Sequence, residues 1–482
     1  MSLTKTILII LLSVSASHLF SQDFLSQYRQ ALLSDTPIDA DLRQLCDEIG
    51  GRVTGSPENE AAVEWALKKF SEAGITKVWK QAFEMPTKWI ESACKMEIRP
   101  ASGPAFSTLA VSKYKTPSGI TENEVIWVEN ILEHSGDSVE GKIMMVPMEL
   151  CLDINGLFQE YTQAAHVEIF AREHGASGII FMSSRPQKLL YRFIGMKTSE
   201  NDLPQWIMAR EDAKRCQRLF QNGHKLNAKI ETQATHGGSF TSHNVIAEIT
   251  GSEKPEEVIV IGAHLDSWAL GTGANDNGCN VSMMIDLARQ MVKLGIQPKR
   301  TIRFALWNGE EQGYFGSWAY TQIYEKELDQ TVLATSIDIG SGKIIGFFTN
   351  GRGDLVDQID SLLIPVSDLG PFQQLNVPIV GTDNFDFMLE GIPNLVGSHR
   401  PATYGINYHA ASDTYDKVDI SSLKQNAAIV GTVILGYANS HMKLKRQTRE
   451  EISALFSEHN LEFTMRMFNV WESWISGARG RK

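Results

Sequence analysis

Past its first two dozen residues, the chain has no apolar run of the roughly 20 residues that a bilayer crossing needs, which argues against a multispanning membrane protein. Cysteine is scarce. Cys46, Cys94, Cys151, Cys216 and Cys279 stand far apart, and none forms a CxxC pair, so a thiolate zinc site is not what organises this fold. Basic residues are outnumbered, with 45 Lys plus Arg against 57 Asp plus Glu and a formal charge of -12. Such a surface does not suit tracking a phosphate backbone, so no nucleic-acid partner is expected. Internal repeats and low-complexity tracts are also missing. What remains is ordinary for a globular protein: 43% hydrophobic and 21% charged residues over 482 positions, with room for two or three domains.

The N-terminus stands apart. Lys5 precedes the apolar run 7–14 (ILIILLSV), and the small residues Ser15, Ala16 and Ser17 follow. This is the pattern of a secretory signal peptide over residues 1–21. The alternative is an N-terminal anchor, for which the run is short. The reading implies a secreted or periplasmic protein with no stable membrane insertion after cleavage.

The rest divides into residues 22–115, an insert over 116–235, and 236–482. In the first part the turn GGRVTGSPENE is followed by a helix, with Ser56 as N-cap and Pro57 at its first position. The insert has short strand-like runs around one clear helix and reads as a small β-rich or α/β module. From Val245 onward strands alternate with helices: 245–249, 258–263, 301–306 and 332–338 are strand-like, and 281–292 is helical. The expected fold class is α/β, a mixed and mostly parallel sheet flanked by helices and carrying the inserted module. In such sheets ligands bind beyond the carboxyl ends of the strands.

Polar residues collect at those ends. His264 and Asp266 follow one strand, and GTGANDNG, with Asp276, opens the next helix. Glu310-Glu311 follows the next strand, Asp338 the one after, and His409 comes later with Asp413 behind it. Gathered carboxylates repel in a low-dielectric cleft, and divalent cations compensate them. Two imidazoles among carboxylates, without thiolates, suit zinc better than the all-oxygen shells of magnesium or calcium.

The runs GAHLDSW, GTGANDNG, NGEEQGYFGSWAY, SIDIG, GTDNFDF and YHAASDT resemble those of the two-zinc aminopeptidase and carboxypeptidase family. The resemblance implies a zinc-exopeptidase-like peptidase domain over 236–482, and an insert similar to the protease-associated module. It implies two Zn²⁺ per chain, with His264 and Asp338 on one ion, Glu311 and His409 on the other, and Asp276 bridging them. Glu310 matches the general base acting on a two-metal-activated water. Asp266 matches a carboxylate that orients the His264 imidazole, and a cis peptide is implied at Asp276-Asn277. The implied substrates are dipeptides or short peptides with free N-termini, and the implied assembly is a homodimer.

Departures from the family pattern are Ala269, Asn277 and Asn280, none of them an expected ligand. Asp383, in the pocket-lining run GTDN, is a candidate partner for a substrate ammonium, the alternative being a turn. Asp413 reads as loop scaffolding. The stretch 450–475 reads as a C-terminal helix, with Trp471 and Trp474 in core or dimer packing, and the tail Arg479-Gly480-Arg481-Lys482 as a solvated end. Two other functions share this sequence pattern: a binding protein that keeps the fold without catalysis, and a glutaminyl cyclase-like acyltransferase. The first would have lost metal positions, and here all of them stand.

Overall fold

The computed structural model describes residues 24–133, 138–195 and 203–482. The expected signal peptide lies outside them. Among the described residues no helix is long and apolar enough to cross a membrane.

Two sheets organise the described residues. The first contains β1 (Lys77–Met85), β2 (Phe240–Ile249), β3 (Lys254–His264), β4 (Arg300–Trp307), β5 (Thr331–Ser336), β6 (Ile344–Phe348) and β7 (Asn394–His399), in the order β1-β2-β4-β3-β5-β7-β6. The central strands β4, β3, β5 and β7 are mutually parallel, and the flanking strands β1, β2 and β6 pair antiparallel. The expected mixed sheet with a parallel centre is therefore present. Its strands are apolar on both faces. Val245, Ala247, Ile259, Ile261, Phe304 and Leu306 point into one core, and Ile246, Val258, Val260, Ala305 and Trp307 into the other. Period-two burial on both faces is the signature of a sheet covered on both sides.

Helices α1 (Pro57–Glu72), α2 (Cys279–Lys293) and α3 (Ile420–Asn439) pack into the larger core. The cap of α1 is as read from sequence: the Ser56 side chain accepts from the Asn59 amide at 3.1 Å, with Pro57 at the first position.

The second sheet has eight strands drawn from Lys88 to Gly237. Within it Ile143, Met145, Ile180 and Met208 face one core, while Met144, Val146, Ile179 and Ile207 face the other. The helix Ile154–Glu173 covers the latter face and Arg210–Gln221 the former. One boundary shifts from expectation. Residues 88–112, assigned on sequence to the first part of the chain, pair within this second sheet, because Lys88–Pro100 aligns along Leu226–Gly237 and Ala110–Ser112 along Gln205–Met208.

The C-terminal stretch is three short helices, Arg449–Glu458, Glu462–Met467 and Trp471–Ile475, not one. Asn460 (φ 52°) and Asn469 (φ 60°) adopt the left-handed conformation that ends a helix, and asparagine tolerates it. The tail is not a solvated end either, since Arg479 is 3% exposed.

Candidate metal centre

The parallel strands β4, β3 and β5 are neighbours, so residues just past their carboxyl ends meet at one edge. His264 ends β3, Glu310 and Glu311 follow β4, and Asp338 follows β5. Asp276 sits on the loop between β3 and α2, and His409 on the segment after β7. All are buried, at 1–8% exposure.

Two donor groups result: His264, Asp276 and Asp338, and then Asp276, Glu311 and His409. His264 Nε2 lies 3.1 Å from Asp276 Oδ1 and 2.9 Å from Asp338 Oδ1. His409 Nε2 lies 3.2 Å from Asp276 Oδ2 and 2.8 Å from Glu311 Oε2. Asp276 thus turns one oxygen to each group. Asp276 Oδ2 and Glu311 Oε1 are buried without a hydrogen-bond partner, as expected of atoms shaped to hold a cation. His264 Nδ1 faces the Asp266 carbonyl at 2.9 Å. A carbonyl only accepts, so Nδ1 carries a proton and Nε2 is the nitrogen left to ligate once the neighbouring carboxylates, which raise the imidazole pKa, are turned to a cation. The donor chemistry and the orphaned atoms fit metal binding.

Asp266 meets the His264 imidazole most closely through its backbone. The backbone carbonyl, not the carboxylate, orients the imidazole, since Asp266 Oδ1 is 3.7 Å from Nδ1. The carboxylate accepts instead from Thr54 Oγ1 at 2.9 Å and from the Glu310 amide at 3.4 Å. It therefore steadies the Glu310 segment. The Asp276-Asn277 peptide is cis, as the resemblance implies.

Asp413 lies beneath the bridging position, and its carboxylate accepts from the amides of Asn275 (2.8 Å) and Asp276 (3.0 Å). It is scaffolding, and the backbone it supports is that of Asp276. Arg52, which the sequence reading passed over, is fully buried. Its guanidinium donates to the carbonyls of Leu265 (2.5 Å), Thr272 (2.8 Å), Gly273 (3.0 Å) and Gly50 (3.3 Å). The only advance sign was its position in the turn before α1. Gly273 must be glycine, because its φ is 61° and a Cβ there would come within 2.4 Å of the Ser267 side chain.

The second sheet's module reaches the site. The Arg192 amide donates to the His409 carbonyl at 3.2 Å, and the Ala411 amide to the Leu190 carbonyl at 3.0 Å. These bonds hold His409 at a left-handed φ of 57°. Tyr161 Oη is 3.1 Å from Tyr408 Oη, and Arg192 pairs with Glu91 beneath Trp89 and Trp268. Trp268 meets the His409 ring edge-on at 6.1 Å.

Burial, with crowding by Asp338, Asp383 and Glu311, pushes the Glu310 carboxyl well above its ordinary range. Burial likewise raises Glu311 to about 7. Burial opposes a charged His409, but Glu311 and Asp276 outweigh it and carry its pKa up to about 9. Asp383 is 1% exposed, and neither of its carboxylate oxygens has a hydrogen-bond partner; burial raises it as well.

Residues 244–434 match the sequence model of peptidase family M28. Carboxypeptidase Q of Xenopus laevis is 28% identical over 408 residues, covering 83% of this chain and 85% of that protein. Carboxypeptidase Q of Homo sapiens is 27% identical, covering 84% and 86%. The crystal structure of a peptidase M28 precursor from Shewanella amazonensis superimposes with a TM-score of 0.81 at 26% identity, covering 88% of this chain and 98% of that one. A zinc aminopeptidase from Bacillus subtilis shares the fold, with a TM-score of 0.65 at 18% identity, covering 86% of this chain and 98% of that one. The resemblance expected from the motif runs, to the aminopeptidase and carboxypeptidase family and within it to carboxypeptidase Q, is borne out.

Proposed function

We propose that this chain is an exported zinc metallo-exopeptidase that hydrolyses dipeptides or removes N-terminal residues from short peptides. The observation that carries this reading is the pair of donor groups sharing Asp276, with Glu310 beside them and in neither group. His264, Asp276 and Asp338 would hold one ion, and Asp276, Glu311 and His409 the other. Bound there, two zinc ions would polarise the scissile carbonyl and acidify the attacking water. Glu310 takes that water's proton on its carboxylate and delivers it to the leaving amine. Asp266 fixes the Glu310 backbone, and its carbonyl holds a proton on His264 Nδ1, which turns Nε2 toward the ion. Asp383 receives the substrate's N-terminal ammonium, which supplies the partner its buried oxygens lack. The near-complete burial of these groups favours small substrates.

The direct test is hydrolysis of dipeptides and N-terminal amino-acid amides, with and without a chelator and with zinc restored. Chelator-sensitive cleavage is expected. Cyclisation of a Gln-initiated peptide without cleavage would favour the acyltransferase, and metal binding without turnover the binding protein. Asp383→Asn is expected to raise KM at least tenfold for substrates with a free N-terminus, with metal content unchanged. An unaltered KM would remove Asp383 from the substrate site.

Metal uptake should also move protons. In the metal-free protein the carboxylates of Glu311 and Asp276 hold a proton on His409, and burial holds a proton on Glu311 more firmly than on a free carboxyl. Both must lose their protons to ligate, so zinc binding at pH 7 releases protons and weakens as pH falls from 9 toward 6. Calorimetric titration with zinc in buffers of different ionisation enthalpy measures this release. A heat independent of buffer would contradict the assignment.

A further inference from the structure

We infer that Arg479 is a positioning residue for the active cleft: it latches the segment that carries Glu310 to the segment that carries Asp383. The inference rests on the roles proposed above for those two carboxylates.

The tail turns inward after Trp471–Ile475. Arg479 Nε and Nη2 donate to Asp386 Oδ1 and Oδ2 at 2.6 and 2.7 Å, a two-pronged charged pair with both partners buried, at 3% and 1% exposure. Such forks fix geometry as well as adding energy. Asp386 belongs to the short helix Asn384–Leu389, which begins directly after Asp383. The same guanidinium reaches the carbonyls of Gly313 and Tyr314, each at 3.4 Å. Those residues close the turn after the Glu-Glu pair, where the Gly313 and Tyr314 amides donate to the Glu310 carbonyl at 2.9 and 3.0 Å. Ser317 Oγ also donates to Asp386 Oδ2, at 2.9 Å, which joins the two segments again. The guanidinium lies over the Trp318 ring at 4.7 Å.

The latch is itself held. The Arg481 amide donates to the Leu389 carbonyl at 3.0 Å, and Arg449 Nη1 to the Arg481 carbonyl at 2.6 Å. One cation from the far end of the chain therefore sets the spacing between the proton-transfer segment and the ammonium-binding segment, while touching neither donor group.

The test uses the full-length, zinc-loaded protein. Arg479→Gln and Arg479→Lys are compared with wild type for metal content, kcat and KM on a cleaved dipeptide, and amide hydrogen exchange. Lysine keeps the charge, and with it the best prospect of folding, but cannot fork. The expected result is two zincs per chain throughout and a tenfold or larger loss of kcat/KM in both variants. Exchange should quicken selectively in peptides covering 309–317 and 382–390. Unchanged exchange there, or kcat/KM within threefold of wild type, would overturn the latch. Wild type that cleaves nothing while Arg479→Lys still loosens those two segments would instead sink the exopeptidase reading and leave the latch standing as structure only.

Discussion

Glu310→Gln is expected to lower kcat by about 10²–10⁴-fold, the usual contribution of a general base, while the protein keeps two zincs per chain. Glutamine matches glutamate in volume, and the backbone bonds that place this residue are untouched: its amide still donates to Asp266, and its carbonyl still accepts from Gly313 and Tyr314. Only basicity is removed. The neighbouring substitution should separate from it. Glu311 Oε2 faces His409 Nε2 at 2.8 Å within a donor group, so Glu311→Gln should lose metal before it loses turnover at saturating zinc. Metal analysis beside steady-state kinetics distinguishes the two. If Glu310→Gln sheds metal as readily as Glu311→Gln, the adjacent carboxylates do not divide ligation from proton transfer.

Much of this site could be read in advance, because its residues sit where a parallel sheet must place them. His264 ends a buried strand, Glu310-Glu311 follows a second and Asp338 a third, and parallel neighbours bring such positions together whatever the rest of the chain does. Those strands were also the easiest elements to read, as apolar runs between turn signals. What escaped were contacts between residues far apart in sequence whose types carry no local signal. Arg52 lies in a glycine-rich turn that looks like a connector, yet it reaches Thr272 and Gly273 some 220 positions on. Residues 190–192 sit in the insert and nonetheless pair with the His409 segment. Lys88–Pro100 falls in the first part of the chain by position, but which sheet it joins depends on its partner, Leu226–Gly237. Arg479 occupies a short basic tail of the kind usually left in water, and only the buried Asp386 makes it structural.

Arg52 and Asp413 carry the second large expected effect, because they hold the Asp276 loop from two sides. Asp413 fixes the amides of Asn275 and Asp276, and Arg52 fixes the carbonyls just before them while also gripping Leu265, next to His264. The spacing between the two donor groups therefore depends on a buried cation and a buried carboxylate that belong to neither. Arg52→Met keeps the volume of the side-chain stem but leaves buried carbonyls without donors. Hydrogen bonds to a charged group contribute about 1.5–3 kcal/mol each, so the loss should be on the order of 3–5 kcal/mol once the loop relaxes, read as a large fall in melting temperature. Asp413→Asn should fold, because only one acceptor is exchanged for an amide group that cannot accept. Support for a ligand of this kind typically sets metal affinity within 10–100-fold, so zinc retention under chelator competition should fall by about that factor. Zinc retention measured in both single variants and the double variant should fall by less in the double than the two single losses combined, since each substitution releases the same loop. Full additivity, or wild-type zinc retention in Asp413→Asn, would mean that Asp276 is placed by its neighbours in the donor groups alone.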